Sequence, residues 1–403
     1  NGNISLIKQQ IFPHSLGLLY SSFTYFLGFT VNSDEYKVMG LAPYGDLKDS
    51  QTLSFIKIIK NKLVSIDDSG GIKMNEEYFS FMYGLKMINE KKWERLFGIK
   101  KRGTNDKIDQ SHMNLAMAIQ KVTEEILLNL AKHAKKITNS NHLCISGGCA
   151  LNCSAMGKIK ASKIFDTVSV PFAPGDDGGA IGAALYLYSL LDCNIQPIVS
   201  PYLGPQYTND EIINILSNQA LKFTILSDSE LYEKVSEYIC EGKIIGWFQG
   251  KMEFGPRALG NRSILADPRI ATMKNIINAK VKFRESFRPF APIVMKEDAS
   301  QYFNDNNSPY MMFTTKVTED CNNIPAVTHL DRTARIQTVT KEQNEQIYSL
   351  LQAFKSKTGC SVLLNTSFNI MGEPIVCSPY DAVKTYIKSD IDILVINQFL
   401  IVK

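Results

Sequence analysis

A strand, a glycine-rich turn and a helix follow one another twice in the first half of the chain. Residues 143–146 form a short apolar stretch that ends at Gly147 and Gly148, and residues 167–171 lead into the glycine-rich stretch 175–182. This repeat is typical of an α/β domain that binds its ligand at the C-terminal ends of its strands. We therefore predict an α/β fold in which residues 143–146 are a buried strand.

Both turns offer groups that suit either a ligand or ordinary packing. Paired glycines let backbone amides approach a nucleotide closely, and the helix N-terminus that follows adds partial positive charge, but close packing also explains such a pair. Asp176 and Asp177 begin the second helix, where carboxylates cap the helix or provide oxygen ligands for a metal ion. The residues alone leave these alternatives open.

The most basic part of the chain lies in its second half. Residues 251–288 contain nine Lys or Arg and three Asp or Glu, a local net charge of +6, whereas the whole chain carries +4. Glycines and prolines interrupt this run, so we predict loops and short elements rather than one long helix. Arginines on such constrained backbone suit a phosphate or carboxylate, because a guanidinium donates two parallel hydrogen bonds to paired oxygens. The alternative is a solvated basic loop.

Two later segments carry further polar candidates. One contains Arg335, and in the other a strand predicted at residues 361–364 opens into Asn365, Ser367 and Asn369. Ser and Asn at the end of a buried strand can bind phosphate or ribose through hydrogen bonds, although turns at strand ends use the same residues.

The chain is long enough for two domains, which we place at residues 1–194 and 208–403. A stretch rich in Pro and Gly at residues 195–207 predicts the linker between them. In the first domain, apolar positions at spacings of three and four predict an amphipathic helix over residues 111–137. The polar, Lys-rich residues from about 46 to 105 predict an irregular peripheral insertion.

Composition favours an ordinary intracellular protein. Hydrophobic residues make up 44% and charged residues 21% of the chain, as in globular proteins. We find no apolar run long enough to cross a bilayer and no leader before a cleavage site. The 8 cysteines are not spaced as a secreted disulfide framework. We therefore predict a cytoplasmic protein without a membrane partner.

Seven motifs, taken together in their order, resemble those of the O-carbamoyltransferases of nodulation-factor and antibiotic pathways, the NodU/CmcH type. The likeness covers nearly the whole chain. The motifs are PHSLGLLY at 13–20, EYKVMGLAPYG at 35–45, SGGCALN at 146–152, PGDDGGAIG at 174–182, FGPRALGNRS at 254–263, KFRESFRPFAP at 282–292 and NTSFN at 365–369.

This resemblance implies a fold and a reaction. Residues 1–194 would be the C-terminal part of an actin/sugar-kinase-like (ASKHA, Kae1-like) domain, and residues 208–403 a YrdC-like domain. The YrdC-like domain is implied to form carbamoyl adenylate from carbamoyl phosphate and ATP. The Kae1-like domain is implied to pass the carbamoyl group to a hydroxyl of a small-molecule acceptor such as a sugar or natural product. A divalent metal ion, iron or else manganese or magnesium, assists that transfer.

The resemblance also implies roles for individual residues. Those that would hold carbamoyl phosphate are Arg257 and Lys282, with Arg288, Arg335 and Ser367 as companions. Those that would bind the nucleotide are Gly147, Gly148, Asn152, Gly178, Gly179, Asn365 and Asn369. One of Asp176 and Asp177 matches the metal-binding Asp of the family, and the alignment does not decide which.

The sequence departs from the family at its beginning. The paired metal-ligand histidines of the family lie at i and i+4 on a helix, and the 5 histidines of this sequence include no such pair. We expect these ligands, part of the first domain and the general base to precede Asn1. The chain as given would then bind carbamoyl phosphate and ATP yet fail to transfer the carbamoyl group.

Two other hypotheses remain beside O-carbamoyl transfer. The chain could be a nucleotide- and carbamoyl-phosphate-binding fragment without transfer activity, or it could carbamoylate a macromolecule, as in tRNA threonylcarbamoylation. A pI of about 8.4 and the confinement of basic charge to one run argue against a nucleic-acid partner. The sequence identifies neither the acceptor nor the oligomeric state, a homodimer included.

Overall fold

The computed structural model of the protein describes residues 4–191 and 197–403, and the chain divides into two compact units, Asn1–Ile195 and Gln196–Lys403. Both units combine helices and strands, and the second contains a large mixed sheet. The predicted α/β class is therefore confirmed. Residues 195 and 196 of the predicted linker lie outside the described residues.

The first unit is mainly helical. Its helices are α1 (Leu16–Phe26), α2 (Glu35–Leu41), α3 (Ser50–Ile58), α4 (Glu90–Phe97), α5 (Gln110–Thr138), α6 (Cys153–Ala161) and α7 (Gly179–Leu190). Its strands form two separate pairs, the antiparallel β1 (Val64–Ile66) and β2 (Ile72–Met74) and the parallel β3 (His142–Cys144) and β4 (Thr167–Ser169).

Helix α5 confirms the amphipathic helix predicted at residues 111–137. Asp109 caps its N-terminus by accepting a hydrogen bond from the backbone N–H of His112, whose Nδ1 accepts one from the N–H of Asp109 in return. Asn139 ends the helix in the left-handed conformation with φ of 51°. The buried residues of α5 recur at helical spacing, so one face of the helix packs into the unit.

The stretch from about residue 46 to 105 differs from the prediction. It was expected to be irregular, but it holds α3, α4 and the β1–β2 hairpin. Trp93 of α4 is fully buried against Phe23 and Phe26 of α1, with ring centroids 4.8 Å and 5.5 Å away. The prediction of irregular structure was wrong because a few aromatic residues, spread thinly through a Lys-rich sequence, supply part of the core of this unit.

Strand β3 and helix α7 also differ from expectation. The first and last residues of β3 are exposed, so the prediction of a buried strand at residues 143–146 was wrong. Helix α7 is strongly apolar but has no buried residue, and Leu187 is 55% exposed. The described residues of this unit therefore leave both elements largely uncovered.

The second unit is built on one sheet. Its helices are α8 (Asn209–Asn218), α9 (Asp228–Cys240), α10 (Met273–Ile276), α11 (Ala299–Tyr302), α12 (Glu345–Thr358) and α13 (Pro379–Lys388). Its strands are β5 (Thr224–Ile225), β6 (Ile245–Phe248), β7 (Arg262–Ala266), β8 (Ala291–Met295), β9 (Thr314–Lys316), β10 (Thr333–Arg335), β11 (Gln337–Val339), β12 (Val362–Ser367), β13 (Ile393–Ile396) and β14 (Phe399–Val402).

Eight of these strands form a mixed sheet in the order β11-β8-β12-β7-β6-β13-β14-β5, and β9 pairs with β10 apart from it. Every residue of β6, β7, β8 and β13 is buried. β6, β8 and β13 accordingly consist almost wholly of apolar residues, and β7 does so after Arg262 and Ser263, since strands buried on both faces carry apolar side chains on both. The central strand β12 lies between β7 and β8, antiparallel to both.

Part of the predicted linker is bound to the second unit. The backbone N–H of Gly204 donates to the carbonyl of Met252, and the N–H of Phe254 donates to the carbonyl of Pro201. Tyr202 donates a hydrogen bond of 2.9 Å from its hydroxyl to the carbonyl of Leu259. Residues 201–205 are therefore held against the basic run and support it, a contribution that the sequence analysis did not anticipate.

Candidate functional site

The basic run folds as the sequence predicted, into loops and short elements. It leaves β6, crosses a loop to β7, and continues through α10 and a π-helical turn, Ile277–Val281, to Lys282. Gly255 and Gly260 adopt φ of 109° and 108°, a conformation that favours glycine. These two glycines lie on either side of Arg257, so the loop that carries this arginine is bent at both ends.

Hydrogen bonds fix the backbone of this loop. One carboxylate oxygen of Glu253, Oε1, accepts from the N–H groups of Leu259, Asn261 and Arg262 at 2.6, 2.8 and 3.3 Å. Burial raises the pKa of Glu253, against the effect of these backbone N–H groups. We call residues 253–262 the arginine loop.

The carbonyl groups of the arginine loop are also bound. Gln337 of β11 donates from Nε2 to the carbonyl of Leu259 at 2.8 Å, and Asn365 of β12 donates from Nδ2 to the carbonyl of Ala258 at 3.2 Å. A further bond of 3.0 Å joins Asn365 Nδ2 to Gln337 Oε1. The sheet therefore holds the loop through two buried side-chain amides, one on β11 and one on β12.

Arg262 belongs to the run but not to a ligand site. Its guanidinium is fully buried, donates to the carbonyls of Gln249, Gly250, Asn261 and Pro205, and lies 3.5 Å from the ring centroid of Phe248. Burial lowers its pKa to about 10. Through these hydrogen bonds Arg262 connects the arginine loop to Pro205, and its guanidinium donates to backbone carbonyls rather than to a ligand.

Lys282 is the most unusual charged residue of the second unit. Its ammonium is buried at the C-terminal end of β12, where it donates to the carbonyl of Ser367, to Ser367 Oγ at 3.1 Å, and to the carbonyl and Oδ1 of Asn369 at 2.9 and 2.7 Å. Burial, and then the charges of Arg284 and Arg288, hold the pKa of Lys282 well below its usual value. An anion placed here would offset both effects.

The structure thus brings together three of the predicted carbamoyl-phosphate and nucleotide residues, Lys282, Ser367 and Asn369, with the charge of Arg288 close to the lysine. Ser367 is the last residue of β12, which runs three residues beyond the strand predicted at 361–364. Arg257 lies in the arginine loop, half-buried.

Arg335 is placed on a different element from Lys282. It is the last residue of β10, two residues before Gln337. Burial, assisted by the charges of Arg335 and Lys274 and opposed by that of Asp331, lowers the pKa of His329 to about 4. Arg335, Lys274 and His329 are therefore close enough for the two positive charges to act on the imidazole.

Asn365 differs from its predicted role. Its side chain is 1% exposed, and its Nδ2 group is committed to the arginine loop and to Gln337. Within the described part of the chain, its Oδ1 accepts no hydrogen bond. In this structure the residue supports the loop from beneath, and a nucleotide has no access to it.

In the first unit, the two glycine turns lie side by side. The N–H of Gly147 donates to the carbonyl of Pro174 at 2.6 Å, which joins the end of β3 to the end of β4. A Cβ added to Gly147, Gly148 or Gly179 would meet no atom within 4 Å, whereas one added to Gly178 would lie 2.1 Å from the carbonyl oxygen of Ala173. Gly178 is therefore required for packing, and the other three border open space.

Asn152, the other predicted nucleotide residue, is engaged within the protein. Its Oδ1 accepts from the N–H of Ala155 and caps α6, and its amide exchanges two hydrogen bonds of 3.0 Å with Gln120. Gln120 in turn donates to the buried Glu124, which also contacts Lys158. The side chain of Asn152 therefore belongs to a polar network inside the first unit.

Asp176 and Asp177 are both exposed at the start of the 3₁₀ turn Asp176–Gly178. Asp177 Oδ1 accepts from the N–H of Gly178 at 3.1 Å. Among the described residues, no three His, Cys, Asp or Glu side chains are grouped so that they could hold a metal ion. The two aspartates do not form a complete metal site with the other residues described here.

Sequence reasoning missed Glu253, Gln337 and Tyr202, which hold the arginine loop, and Arg284, which lies close to Lys282. Glu253 directly precedes the motif at 254–263, and Arg284 lies within the one at 282–292. The positions of Glu253 and Arg284 beside or within these motifs could therefore have marked both residues as candidates. Tyr202 gave none, because it lies in a stretch whose prolines and glycine indicated a linker.

The second unit therefore defines an α/β protein with a buried lysine and neighbouring arginines, an arrangement suited to a phosphate or other anion. The family model described as Carbamoyltransferase C-terminus matches residues 236–403, and the one described as Carbamoyltransferase N-terminus matches residues 1–185. The chain belongs to the carbamoyltransferase family.

Several proteins are similar to this chain over most of its length, and one of them is named as a carbamoyltransferase. An uncharacterized protein of Synechocystis sp. is 43% identical over 97% of this chain, which spans 68% of that relative. Nodulation protein NolO of Bradyrhizobium diazoefficiens is 38% identical over 100% of this chain and 72% of its own length. A 3'-hydroxymethylcephem-O-carbamoyltransferase of Amycolatopsis lactamdurans is 30% identical over 85% of this chain and 60% of its own length.

Among solved structures, full-length HypF in its phosphate- and nucleotide-bound form matches 44% of this chain and 22% of its own, at 15% identity. The TM-score of 0.31 is too low to argue a shared fold. None of the helices in the described ranges is both long enough and apolar enough to cross a membrane.

Proposed function

We propose that this protein is an O-carbamoyltransferase whose second unit activates the carbamoyl group and whose first unit contributes to its transfer to a hydroxyl of a small molecule. The observation that carries the proposal is the buried Lys282 ammonium, held at the end of β12 beside the charges of Arg284 and Arg288. A relative named as an O-carbamoyltransferase of a hydroxymethylcephem supports a hydroxyl acceptor.

The proposed activation uses carbamoyl phosphate, ATP and water. Water first cleaves carbamoyl phosphate to carbamate and inorganic phosphate, and a carbamate oxygen then attacks the α-phosphorus of ATP. Carbamoyl adenylate forms and pyrophosphate leaves. In the transfer step, the acceptor hydroxyl attacks the carbamoyl carbon, AMP leaves and the hydroxyl proton passes to a base. Each step develops negative charge on phosphate oxygens, which fixed cations stabilise.

The residues proposed to hold carbamoyl phosphate supply that charge. The charges of Lys282 and Arg288 act on each other, so a phosphate at this point would meet two cations. The hydroxyl of Ser367, which lies 3.1 Å from the lysine nitrogen and donates to Asn369 Oδ1 at 2.7 Å, would exchange that bond to donate to the phosphate. Arg257 and Arg335 join this group on the strength of the family resemblance. Asn369, which accepts from Lys282, would exchange that bond when an anion arrives.

ATP and a divalent metal ion are part of the same proposal. Gly147, Gly148 and Gly179 border open space, which suits close approach of a nucleotide to the backbone. Asp176 or Asp177 would supply a metal ligand, with the remaining ligands coming from outside the described residues. Iron, manganese or magnesium would act as a Lewis acid on the transferring group. We place the reaction in the cytoplasm, since the seven cysteines in the described ranges are free thiols.

The activation step can be tested with one variant and one matched control. Lys282→Ala should abolish the release of pyrophosphate from ATP that depends on carbamoyl phosphate, because the phosphate would lose its buried cation. Lys280→Ala removes an exposed lysine two residues earlier in the same run and should leave release unchanged. Unchanged release in Lys282→Ala would refute the assignment of this site.

A further inference from the structure

Glu253 is a buried carboxylate that binds backbone rather than another side chain. It is 6% exposed, and its Oε1 accepts three N–H groups of the arginine loop, from Leu259, Asn261 and Arg262. Its other oxygen, Oε2, accepts no hydrogen bond from the described residues. The charge of Arg262 also acts on this carboxylate, but the hydrogen bonds that the carboxylate accepts come from backbone N–H groups, which is uncommon for a buried acidic side chain.

The three hydrogen bonds of Glu253 connect the two ends of the arginine loop. Glu253 is the first residue of the arginine loop, and the N–H groups that it binds belong to the last four residues of that loop. The carboxylate therefore closes the loop into a ring at its base. Arg257 lies midway around this ring, between Gly255 and Gly260, whose φ of 109° and 108° allow bends that other residues resist.

The other edge of the ring is anchored to the sheet. Gln337 binds the carbonyl of Leu259 and Asn365 binds the carbonyl of Ala258. These amides hold residues 258 and 259, directly after Arg257, and the N–H of Phe254 is bound to the carbonyl of Pro201. Glu253 joins the first residue of the loop to its last four, so loss of the carboxylate would loosen the closure of the loop around Arg257 while these other bonds and the sheet remained.

We propose that Glu253 is a positioning residue of the carbamoyl-phosphate site and acts through Arg257. The inference rests on the proposed function, because it requires that Arg257 bind the phosphate. An arginine fork binds phosphate well only when its base is held in one place, since two parallel bonds must form at once. Glu253 supplies that fixed base without touching the ligand.

The side chain must be an acceptor of this length. Alanine at position 253 would leave three buried N–H groups without a partner, and aspartate would withdraw the acceptor oxygen by one methylene group. Glutamine would keep an oxygen at the position of Oε1, remove the charge, and place an amide NH2 at the position of Oε2. The three substitutions therefore separate the hydrogen-bonding role from the charge.

The test measures kcat and KM for carbamoyl phosphate in the release of pyrophosphate from ATP. We expect Glu253→Ala and Glu253→Asp to raise KM at least tenfold, and Glu253→Gln to stay within about threefold of the parent, because one retained acceptor conserves most of the hydrogen-bond energy. In an Arg257→Ala background, Glu253→Asp should have no further effect on kcat/KM, because residues that act as one unit are not additive.

A matched control separates positioning from general loss of structure. Asp381 also uses one carboxylate oxygen to accept from backbone N–H groups, those of Cys377 and Ser378, but it caps α13. Asp381→Ala should lower the unfolding temperature and leave KM unchanged. Should Glu253→Ala fail to fold, Glu253→Asp carries the test, with circular dichroism to verify that the sheet is retained.

The outcomes distinguish this inference from the function on which it rests. If Arg257→Ala leaves KM unchanged, the proposed phosphate site and this inference fall together. If Arg257→Ala raises KM but Glu253→Asp does not, or if their effects multiply in the double variant, Glu253 does not act through Arg257 and only the inference is overturned.

Discussion

The two units use similar sequence patterns with different results. In the second unit, the apolar strands β6, β7, β8 and β13 are buried over their whole length. In the first unit, β3 exposes both of its ends, and the apolar helix α7 has no buried residue. Apolar composition shows that burial would stabilise a segment. It does not show that other residues of the chain pack against that segment and bury it.

The candidate ligand residues follow the same division. Those of the second unit lie on or beside covered strands, where Lys282 is 2% exposed and its pKa is strongly lowered. In the first unit, Gly148 borders open space and Asp176 is exposed. Asn152 is hydrogen-bonded to Gln120 within the unit. The candidate residues of the second unit are therefore held in fixed positions by the fold, and those in the described part of the first unit include exposed turns.

The largest expected effect is on the stability of the first unit. Trp93→Ala removes a fully buried ring packed on Phe23 and a 2.9 Å hydrogen bond to the carbonyl of Tyr78. We expect a loss of about 3–5 kcal/mol in the free energy of unfolding, as for other buried large-to-small substitutions. Urea denaturation measures this loss.

The control for Trp93 lies in the same stretch. Tyr83 is 84% exposed, so Tyr83→Ala should change the free energy of unfolding by less than about 0.5 kcal/mol. Equal and small effects of the two substitutions would mean that residues 46–105 are peripheral after all, as the sequence first indicated.

The next prediction concerns proton uptake in the second unit. Burial and the charges of Arg284 and Arg288 lower the pKa of Lys282, and a bound phosphate dianion would raise it again. Binding should therefore take up a proton, and affinity for carbamoyl phosphate should fall as pH rises through the lowered pKa of the free protein. Calorimetry in two buffers with different ionisation enthalpies measures the uptake, and repeating it at increasing pH above the second phosphate pKa of about 6 locates the range over which the lysine is protonated on binding.

Lys282→Met is the matched variant for this experiment. It preserves a side chain of similar length but removes the titrating group, so any proton uptake that remains would have to come from elsewhere. Uptake of the same size in Lys282→Met would contradict the assignment of the proton to Lys282.

Substituting alanine for either of two adjacent glycines should have smaller effects on the free energy of unfolding, and the two effects should have opposite signs. Gly178→Ala would place a Cβ 2.1 Å from the carbonyl oxygen of Ala173 and should destabilise the protein by about 1–3 kcal/mol. Gly179→Ala meets no atom within 4 Å at the first residue of α7, so it should stabilise the protein by up to about 1 kcal/mol. Thermal unfolding of both variants checks the signs, and destabilisation by both would show that the surface beside Gly179 is not open.

Much of the fold was accessible from the sequence, for identifiable physical reasons. Spacing of apolar residues located α5. Thr208 and Ser378, which cap α8 and α13, belong to capping boxes that can be recognised from four consecutive residues. Such signals are local, because each depends on residues within a few positions of one another. The α/β class followed from the alternation of these local elements.

Signals that depend on distant residues were not accessible. Trp93 gave no indication that it packs on Phe23, seventy positions earlier, and Tyr202 gave none that it supports Leu259. The same limit applies to the site. The charge of the basic run predicted an anion-binding region, but only the fold distinguishes Lys282, at the end of β12, from Arg262, which binds backbone carbonyls.

The smallest expected effect tests whether α7 is exposed in solution. Leu187 lies on α7 at 55% exposure, so Leu187→Ala should change the free energy of unfolding by less than about 0.5 kcal/mol. Leu350 on α12 is fully buried, and Leu350→Ala should cost about 2–5 kcal/mol. If the two substitutions cost the same, α7 is covered in solution by a contact that the described residues do not supply. Repeating the measurement over a range of protein concentrations would then separate self-association, which makes the cost depend on concentration, from cover within one chain.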